Sequence, residues 1–334
     1  MHHKILKYFG ITLVGILILF ALLSIKKDPE TISYGVSFNK VYVDELGMDW
    51  KKVYILILDD LKVKKLRLAA HWTMIEPQKD SFQFNEMDFQ MQEAKKRDVS
   101  VVFAVGRRLP RWPECHIPDW AKDESWEEQK REILEMITET VNRYKGYPNI
   151  IYWQVENEPF LTVFADEHCG SSLDVDFLKE EIALVKKLDP SRPVLVTDSG
   201  NLGLWQGAWR VGDAFGTSVY MYLWNPTLGQ VRSVYMPFFY KSKTNLMSLL
   251  FGNKKSFLIE LSLEPWLLES VATAPITNQI ERMSIDKFME IINFAKKTGF
   301  DTQYLWGAEW WYFMKEKGHP EYWELGKNVI AGDK

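Results

Sequence analysis

The tripeptide Asn157-Glu158-Pro159 has residue types that acid–base chemistry needs, and it begins one residue beyond the β-rich run Ile150–Val155. A glycosidic bond breaks when an acid protonates the leaving oxygen while a second carboxylate acts at the anomeric carbon. Glu158 could be that acid, and the amide of Asn157 could bind a sugar hydroxyl. A tripeptide also occurs by chance, and a solvated loop glutamate is the alternative. The hypothesis therefore needs a second carboxylate and a fold that brings the two together.

A second carboxylate is available in the segment 256–265, which contains Glu260 and Glu264. Glu260 follows directly on three apolar residues, where the end of a strand would direct it into a site. Glu264 precedes a proline, which favours an extended loop conformation beyond the strand. We therefore favour Glu260 as the second catalytic group, and Glu264 stays open as the alternative nucleophile.

Short apolar, β-rich runs alternate with longer helical patterns from Ile32 to the carboxyl terminus. The predicted strands are Ser33–Phe38, Lys65–Ala69, Val99–Val105, Ile150–Val155, Val194–Thr197, Ala214–Tyr220, Ser256–Glu260 and Thr302–Trp306. The predicted helices are Trp50–Leu61, Glu86–Arg97, Trp126–Tyr144, Val175–Leu188, Leu204–Val211, Val234–Leu250, Ile285–Lys297 and Pro320–Val329. This alternation favours an α/β fold, a (β/α)8 TIM barrel over residues 31–334, rather than an open sheet. Barrel enzymes carry their chemistry at the carboxyl ends of the strands.

The first thirty residues differ from the rest of the chain. Phe9–Ile25 is an uncharged apolar run of 17 residues, with Lys7 before it and Lys26 after it. It predicts a single N-terminal hydrophobic anchor helix in residues 1–30, and a cleaved signal segment is the alternative. We expect a membrane anchor with the catalytic domain outside the cytoplasm, or a secreted protein if the segment is cleaved.

With Asn157-Glu158 after the fourth predicted strand, the sequence resembles the retaining glycoside hydrolases of clan A, whose fourth barrel strand ends in the same Asn-Glu pair. Arg67 resembles the second-strand arginine that supports the nucleophile in that clan. Tyr220 resembles the sixth-strand tyrosine that bonds the nucleophile, and Trp306 resembles the eighth-strand tryptophan under the sugar. The resemblance implies double displacement, with Glu158 as acid/base and Glu260 as nucleophile. It requires no cofactor and no metal.

Further residues on the predicted catalytic face could contact a sugar, although loop packing is the alternative for each. They are His71, Trp72, Trp112, His116 and Trp310. Cys115 and Cys169 fall in neighbouring loops of that face. In an exported protein we expect them to form a disulfide.

The expected partner is a β-linked carbohydrate. The formal net charge of −4 disfavours nucleic acid, and we expect a monomer. The many loop tryptophans favour an open cleft, and therefore an endo-acting β-glucanase or β-mannanase. An exo-acting β-glycosidase and a non-catalytic carbohydrate-binding barrel are the alternatives.

Overall fold

A closed barrel of parallel strands surrounded by helices forms the protein in its computed structural model. The structure describes residues 28–163, 169, 174–225, 227–267 and 269–332. Eight strands close the barrel, and neighbouring strands pair in parallel. The prediction of a TIM barrel is therefore confirmed.

The barrel strands are short and mostly buried. They are β1 (Ser33–Phe38), β2 (Lys65–Ala69), β3 (Ser100–Val105), β4 (Ile150–Val155), β5 (Val194–Asp198), β6 (Ala214–Val219), β9 (Ser256–Ser262) and β10 (Thr302–Trp306). An antiparallel hairpin of β7 (Tyr222–Asn225) and β8 (Gly229–Arg232) follows β6. Thus β9 is the seventh strand of the barrel and β10 is the eighth. Around the barrel the strands follow the order β1-β10-β9-β6-β5-β4-β3-β2.

Helices cover the outside of the barrel and also occupy several connections. Their bounds are Lys40–Glu45, Trp50–Asp59, Trp72–Ile75, Asn85–Lys96, Trp126–Tyr144, Val175–Leu188, Gln206–Val211, Pro237–Phe251, Ile276–Arg282, Ile285–Ala295, Ala308–Glu316 and Glu321–Ala331, with a 3₁₀ turn at Asp119–Ala121. The long helix after β3 begins at a capping box, in which Ser125 and Glu128 each bond the other's backbone N–H.

The seventh barrel strand is longer than the sequence predicts. The prediction ended it at Glu260, whereas the strand continues to Ser262. Leu261 and Ser262 pair with Leu305 and Trp306 of β10. Pairing with a neighbouring strand decides this boundary, and the local apolar pattern carries no information about the partner.

Most of the large aromatic side chains of the barrel are in its core. Fully buried tryptophans are Trp72, Trp153, Trp205, Trp209, Trp310, Trp311 and Trp323. The high aromatic content therefore belongs largely to packing between the strands and the surrounding helices.

The predicted membrane anchor, Phe9–Ile25, lies outside the described residues. Among the residues that the structure does describe, we find no helix with the length and apolar character that crossing a membrane requires.

Replacing Ser125 tests whether its side chain stabilises the start of the helix Trp126–Tyr144. We expect Ser125→Ala to lower the free energy of unfolding by about 1 kcal/mol, because the N–H of Glu128 loses its acceptor. Urea unfolding followed by circular dichroism measures the change. Ser125→Thr is the matched control, since it keeps a hydroxyl acceptor, and equal stability of the two variants would contradict the capping role.

Candidate active site

Arg67 is the buried centre of the polar groups at the carboxyl ends of the strands. Its side chain projects from β2, is 1% exposed, and donates to three groups. Nε donates to Oε1 of Gln154 at 2.8 Å, and Nη2 donates to Oδ1 of Asn157 at 2.7 Å. Nη1 donates to Oε1 of Glu260 at 2.5 Å. One guanidinium thus connects β2 with the end of β4 and with β9.

Both carboxylate oxygens of Glu260 have donors. Arg67 binds Oε1, and the hydroxyl of Tyr220 donates to Oε2 at 3.0 Å. Burial and then the negative charge of Glu260 raise the pKa of Tyr220 well above its ordinary value, so the phenol keeps its proton and remains a donor. The orientation of the Glu260 carboxylate is therefore fixed from two sides.

Glu158 is a buried carboxyl group in a negative environment. Ser218 Oγ donates to its Oε1 at 2.7 Å, and its own N–H donates to Thr197 Oγ1 at 2.8 Å. Burial raises the pKa of Glu158 well above its usual range, and the charges of Glu260 and Glu114 raise it further. A glutamate in this environment keeps its proton to higher pH than an exposed glutamate does and can act as a general acid.

The backbone that carries Glu158 has an uncommon conformation. Glu156 and Glu158 have φ angles of +58° and +44°, in the left-handed region that non-glycine residues seldom adopt. The Glu156 carboxylate accepts the N–H groups of Arg107 at 2.7 Å and Arg108 at 2.6 Å. Gly106 is required beside it, because a Cβ there would lie 2.4 Å from Glu156 Oε1. These contacts hold the end of β4 against the loop after β3.

Glu264 has a different set of partners from Glu260. It accepts from Trp306 Nε1 at 2.7 Å and from Nη1 and Nη2 of Arg111 at 2.5 and 3.2 Å. The arginine and the tyrosine that resemble nucleophile-supporting groups bind Glu260 instead. Of the two glutamates that the sequence left open, the geometry favours Glu260 as the nucleophile.

Three charged residues near the site were absent from the sequence prediction. Arg108 donates to Glu114 Oε2 at 2.6 Å, and burial raises the pKa of Glu114 against the opposing effect of Arg108. Glu309 accepts the N–H of Asn39 at 2.6 Å, and burial raises its pKa to about 7. In the sequence, the arginines of the loop after β3 could have indicated this charged cluster, because that loop lies on the predicted catalytic face.

The two predicted histidines pack against each other under the loop after β3. The ring centroids of His71 and His116 are 4.0 Å apart, and each ring bonds a backbone carbonyl of that loop. Burial lowers the pKa of His71 well below its usual value and that of His116 to about 4. Both rings are therefore neutral near pH 7 and serve as hydrogen-bonding groups.

Two predicted sugar-binding tryptophans have packing roles instead. Trp72 and Trp310 are fully buried, so neither ring has a face open to a substrate. Their indole N–H groups donate to Glu76 Oε2 at 2.8 Å and to Gln279 Oε1 at 2.7 Å. The sequence placed them near strand ends but could not show that other elements cover them. Trp112, by contrast, is 56% exposed.

Within the described part of the chain, one group has the spacing of metal ligands: Glu76, Asp80 and Glu132. Both oxygens of Glu76 already accept hydrogen bonds, from Trp72 Nε1 and from the N–H of Asp80. Glu132 pairs with Lys79 at 3.0 Å. These bonds explain the cluster without an ion.

The chain is similar to known proteins in part of its sequence and in its fold. The model of Glycosyl hydrolase family 10 matches residues 68–192, which include Asn157 and Glu158. Human beta-glucuronidase is 36% identical over 75 residues, which are 22% of this chain and 10% of the relative. The chain thus spans about a tenth of the length of that curated relative.

Two solved structures share the barrel. Xylanase 10B from Thermotoga petrophila, in complex with xylobiose, is 16% identical with a TM-score of 0.52, over 86% of this chain and 84% of that chain. A GH5_18 protein from Bifidobacterium longum, in complex with Manb1-4GlcNAc, is 10% identical with a TM-score of 0.58, over 82% and 68%. At these identities the likeness shows a shared fold.

The resemblance to clan A glycoside hydrolases is confirmed. The family match and these relatives support a glycoside hydrolase.

The predicted disulfide is also confirmed. Cys115 and Cys169 are bonded, with Cα atoms 5.2 Å apart and a sequence separation of 54 residues. The bond joins the loop after β3 to the loop after β4, next to the catalytic face.

Removing this disulfide should destabilise the fold. We expect the double variant Cys115→Ser, Cys169→Ser to lose about 3–4 kcal/mol of unfolding free energy, because the unfolded chain regains the entropy of an open loop. Guanidinium unfolding measures the loss, and wild-type protein in reducing agent is the matched control. Two titratable thiols in the unreduced wild type would contradict the bond.

Proposed function

We propose that the protein hydrolyses β-glycosidic bonds with retention of configuration, with Glu158 as acid/base and Glu260 as nucleophile. The observation that carries this proposal is the Arg67 side chain, which binds Glu260 and Asn157 at once. The raised pKa of Glu158 supports its role, because the first step needs a proton on that residue. Burial and the neighbouring charges thus favour the protonated form of Glu158 that the first step requires.

The first step forms a covalent bond between sugar and enzyme. Glu260 attacks the anomeric carbon as the bond to the leaving oxygen breaks, and that oxygen takes the electron pair of the broken bond and the proton of Glu158. A retaining pair has carboxyl groups about 5–5.5 Å apart, which leaves room for the sugar and for no intervening water.

The second step releases the sugar. Once Glu260 is esterified it carries no charge, so a cause of the raised pKa of Glu158 disappears. Glu158 can then remain ionised and take a proton from water as the water attacks the anomeric carbon. The bond to Glu260 breaks, and both carboxyl groups return to their starting states.

A β-linked oligosaccharide or polysaccharide is the proposed substrate. The two barrel structures are complexes with xylobiose and with Manb1-4GlcNAc, which supports this class without deciding the sugar. We also propose that the domain works outside the cytoplasm. The disulfide supports that location, since such bonds persist in oxidising compartments.

Substitution of the two glutamates tests the mechanism. On 4-nitrophenyl β-glycosides we expect Glu260→Gln to fall to the background rate, because no covalent intermediate can form. Glu158→Gln should lower kcat/KM by about 10²–10⁴-fold, and less with a 2,4-dinitrophenyl leaving group that departs without protonation. Initial rates over a panel of gluco, manno, galacto, xylo and glucurono substrates provide the measurement.

Glu264→Gln is the matched control for the nucleophile. It should retain the covalent chemistry, because its partners are Trp306 and Arg111. If Glu264→Gln falls to background while Glu260→Gln stays active, the assignment is reversed. A protein that binds these sugars but hydrolyses none of the panel would instead be a non-catalytic binding barrel.

The charge of Glu114 gives a prediction about pH. Activity should fall as pH rises through the pKa of Glu158, because the acid loses its proton. Glu114 raises that pKa, so Glu114→Gln should move the alkaline limb of the kcat/KM profile to lower pH. The exposed Glu139, replaced by Gln, is the control and should leave the limb in place. A limb that does not move in Glu114→Gln would contradict the electrostatic account.

A further inference from the structure

The loop after β3 folds into a small hairpin over the mouth of the barrel. We call residues 106–116 the loop-3 hairpin. Its two arms pair at Arg108 and Cys115, and the N–H of Leu109 donates to the carbonyl of Glu114 at 2.9 Å. This backbone pairing gives the loop a defined shape, which side-chain contacts then attach to its surroundings.

The base of the loop-3 hairpin is attached to the loop after β4. Cys115 is bonded to Cys169, and Nη1 of Arg108 donates to the carbonyl of Leu161 at 2.6 Å. The covalent bond and the buried arginine fix one end of the hairpin beside the segment that carries Glu158.

The tip of the loop-3 hairpin is attached to the opposite side of the mouth. The guanidinium carbon of Arg111 lies 3.5 Å from the ring centroid of Tyr42 and 4.4 Å from that of Trp306. The same guanidinium pairs with Glu264. Asn39 Nδ2 also donates to the carbonyl of Pro110 at 3.1 Å. The hairpin therefore crosses from the loop after β4 to the ends of β1, β9 and β10.

Little space remains under this crossing. The cavity between the hairpin and the strand ends has a volume of about 10 Å³ and is lined by Ser37, Asn39, Arg67, Arg111, Trp306 and Glu309, among others. A space of this size holds about one water molecule. The cavity under the hairpin therefore has no room for a sugar ring.

The strand order shows which side of the site is closed. Glu158 follows β4 and Glu260 lies on β9, with β5 and β6 between them in one direction around the barrel. In the other direction lie β10, β1, β2 and β3, and the loop-3 hairpin covers this side. Trp306, which resembles the floor under the sugar that Glu260 attacks, is on the closed side and packs against Arg111.

The opposite side of the mouth has exposed apolar groups. The loops after β5 and β6 are joined by a hydrogen bond from Asn201 Nδ2 to Ser233 Oγ at 3.1 Å. Their neighbouring side chains Leu202 and Val234 are 55% and 85% exposed. These side chains present apolar surface to solvent on this side.

We infer, on the basis of the proposed function, that the enzyme is exo-acting and removes single sugars from the non-reducing end of β-linked oligosaccharides. The loop-3 hairpin is the wall of a pocket for one sugar, because Arg111 occupies the place where the chain would continue beyond Trp306. The rest of the substrate leaves over the loops after β5 and β6. We thus infer a pocket that is closed on one side, in place of the open cleft that the loop tryptophans favoured.

Product analysis of the wild type tests the mode of cleavage. The probe is a pentasaccharide, labelled at its reducing end, of the sugar and linkage that the aryl glycoside panel selects. We expect the first products to be one free monosaccharide and a labelled tetrasaccharide. Early labelled disaccharide or trisaccharide would overturn the inference while leaving the glutamate mechanism intact. If the wild type turns over none of the aryl glycosides, the proposed function itself is rejected.

A 4-nitrophenyl β-disaccharide gives a second and independent measurement. The wild type should release nitrophenol only after a lag, since the terminal sugar must leave before the aryl bond becomes a substrate. Arg111→Ala should shorten the lag and produce free disaccharide, because the wall is opened. Immediate release with free disaccharide in the wild type would overturn the closed pocket.

Arg97→Ala is the matched control, because Arg97 is paired with Asp59 and Glu93 on the outside of the barrel. It should keep the lag of the wild type. If folded Arg111→Ala, checked by circular dichroism, also keeps the full lag, Arg111 is not the wall and that part of the inference is overturned.

Discussion

The buried positive charge of Arg67 is the constraint on which the candidate site depends. Burying a guanidinium to 1% exposure raises the free energy of the folded state unless its N–H groups meet acceptors. Gln154, Asn157 and Glu260 supply those acceptors, from two other strands of the barrel. Removing any one partner would leave a buried polar group without compensation. The same interaction that satisfies the charge therefore fixes the relative positions of the catalytic segments.

The acid–base chemistry follows from unequal surroundings of similar side chains. Glu260 has a guanidinium and a phenol as donors, whereas Glu158 has one hydroxyl donor and two negative neighbours. Burial penalises charge on Glu158, and no donor of comparable strength offsets it at that carboxyl group. Two residues of the same type thus have different surroundings, which support the different roles proposed for them.

The loop after β3 contributes as much to the site as the strands do. Glu156 binds two of its backbone N–H groups, and the disulfide ties it to the loop after β4. The barrel supplies rigid strand ends, and a connecting loop supplies the shape of the opening, which is the usual division between scaffold and loops. Arg111 shows the consequence, because its contact with Glu264 attaches this loop to the segment that follows β9.

The sequence by itself determined the barrel and located Glu158 with two candidate partners, Glu260 and Glu264, and the tertiary structure decided what surrounds each of them. Apolar runs and turn signals are local, so they located the strands and the glutamates at their ends. The burial of Trp72 and Trp310 depends on elements that pack from elsewhere. The Arg111–Glu264 pair joins residues 153 positions apart. Such contacts are set by how the folded loops meet in space, and no local pattern of residues encodes them.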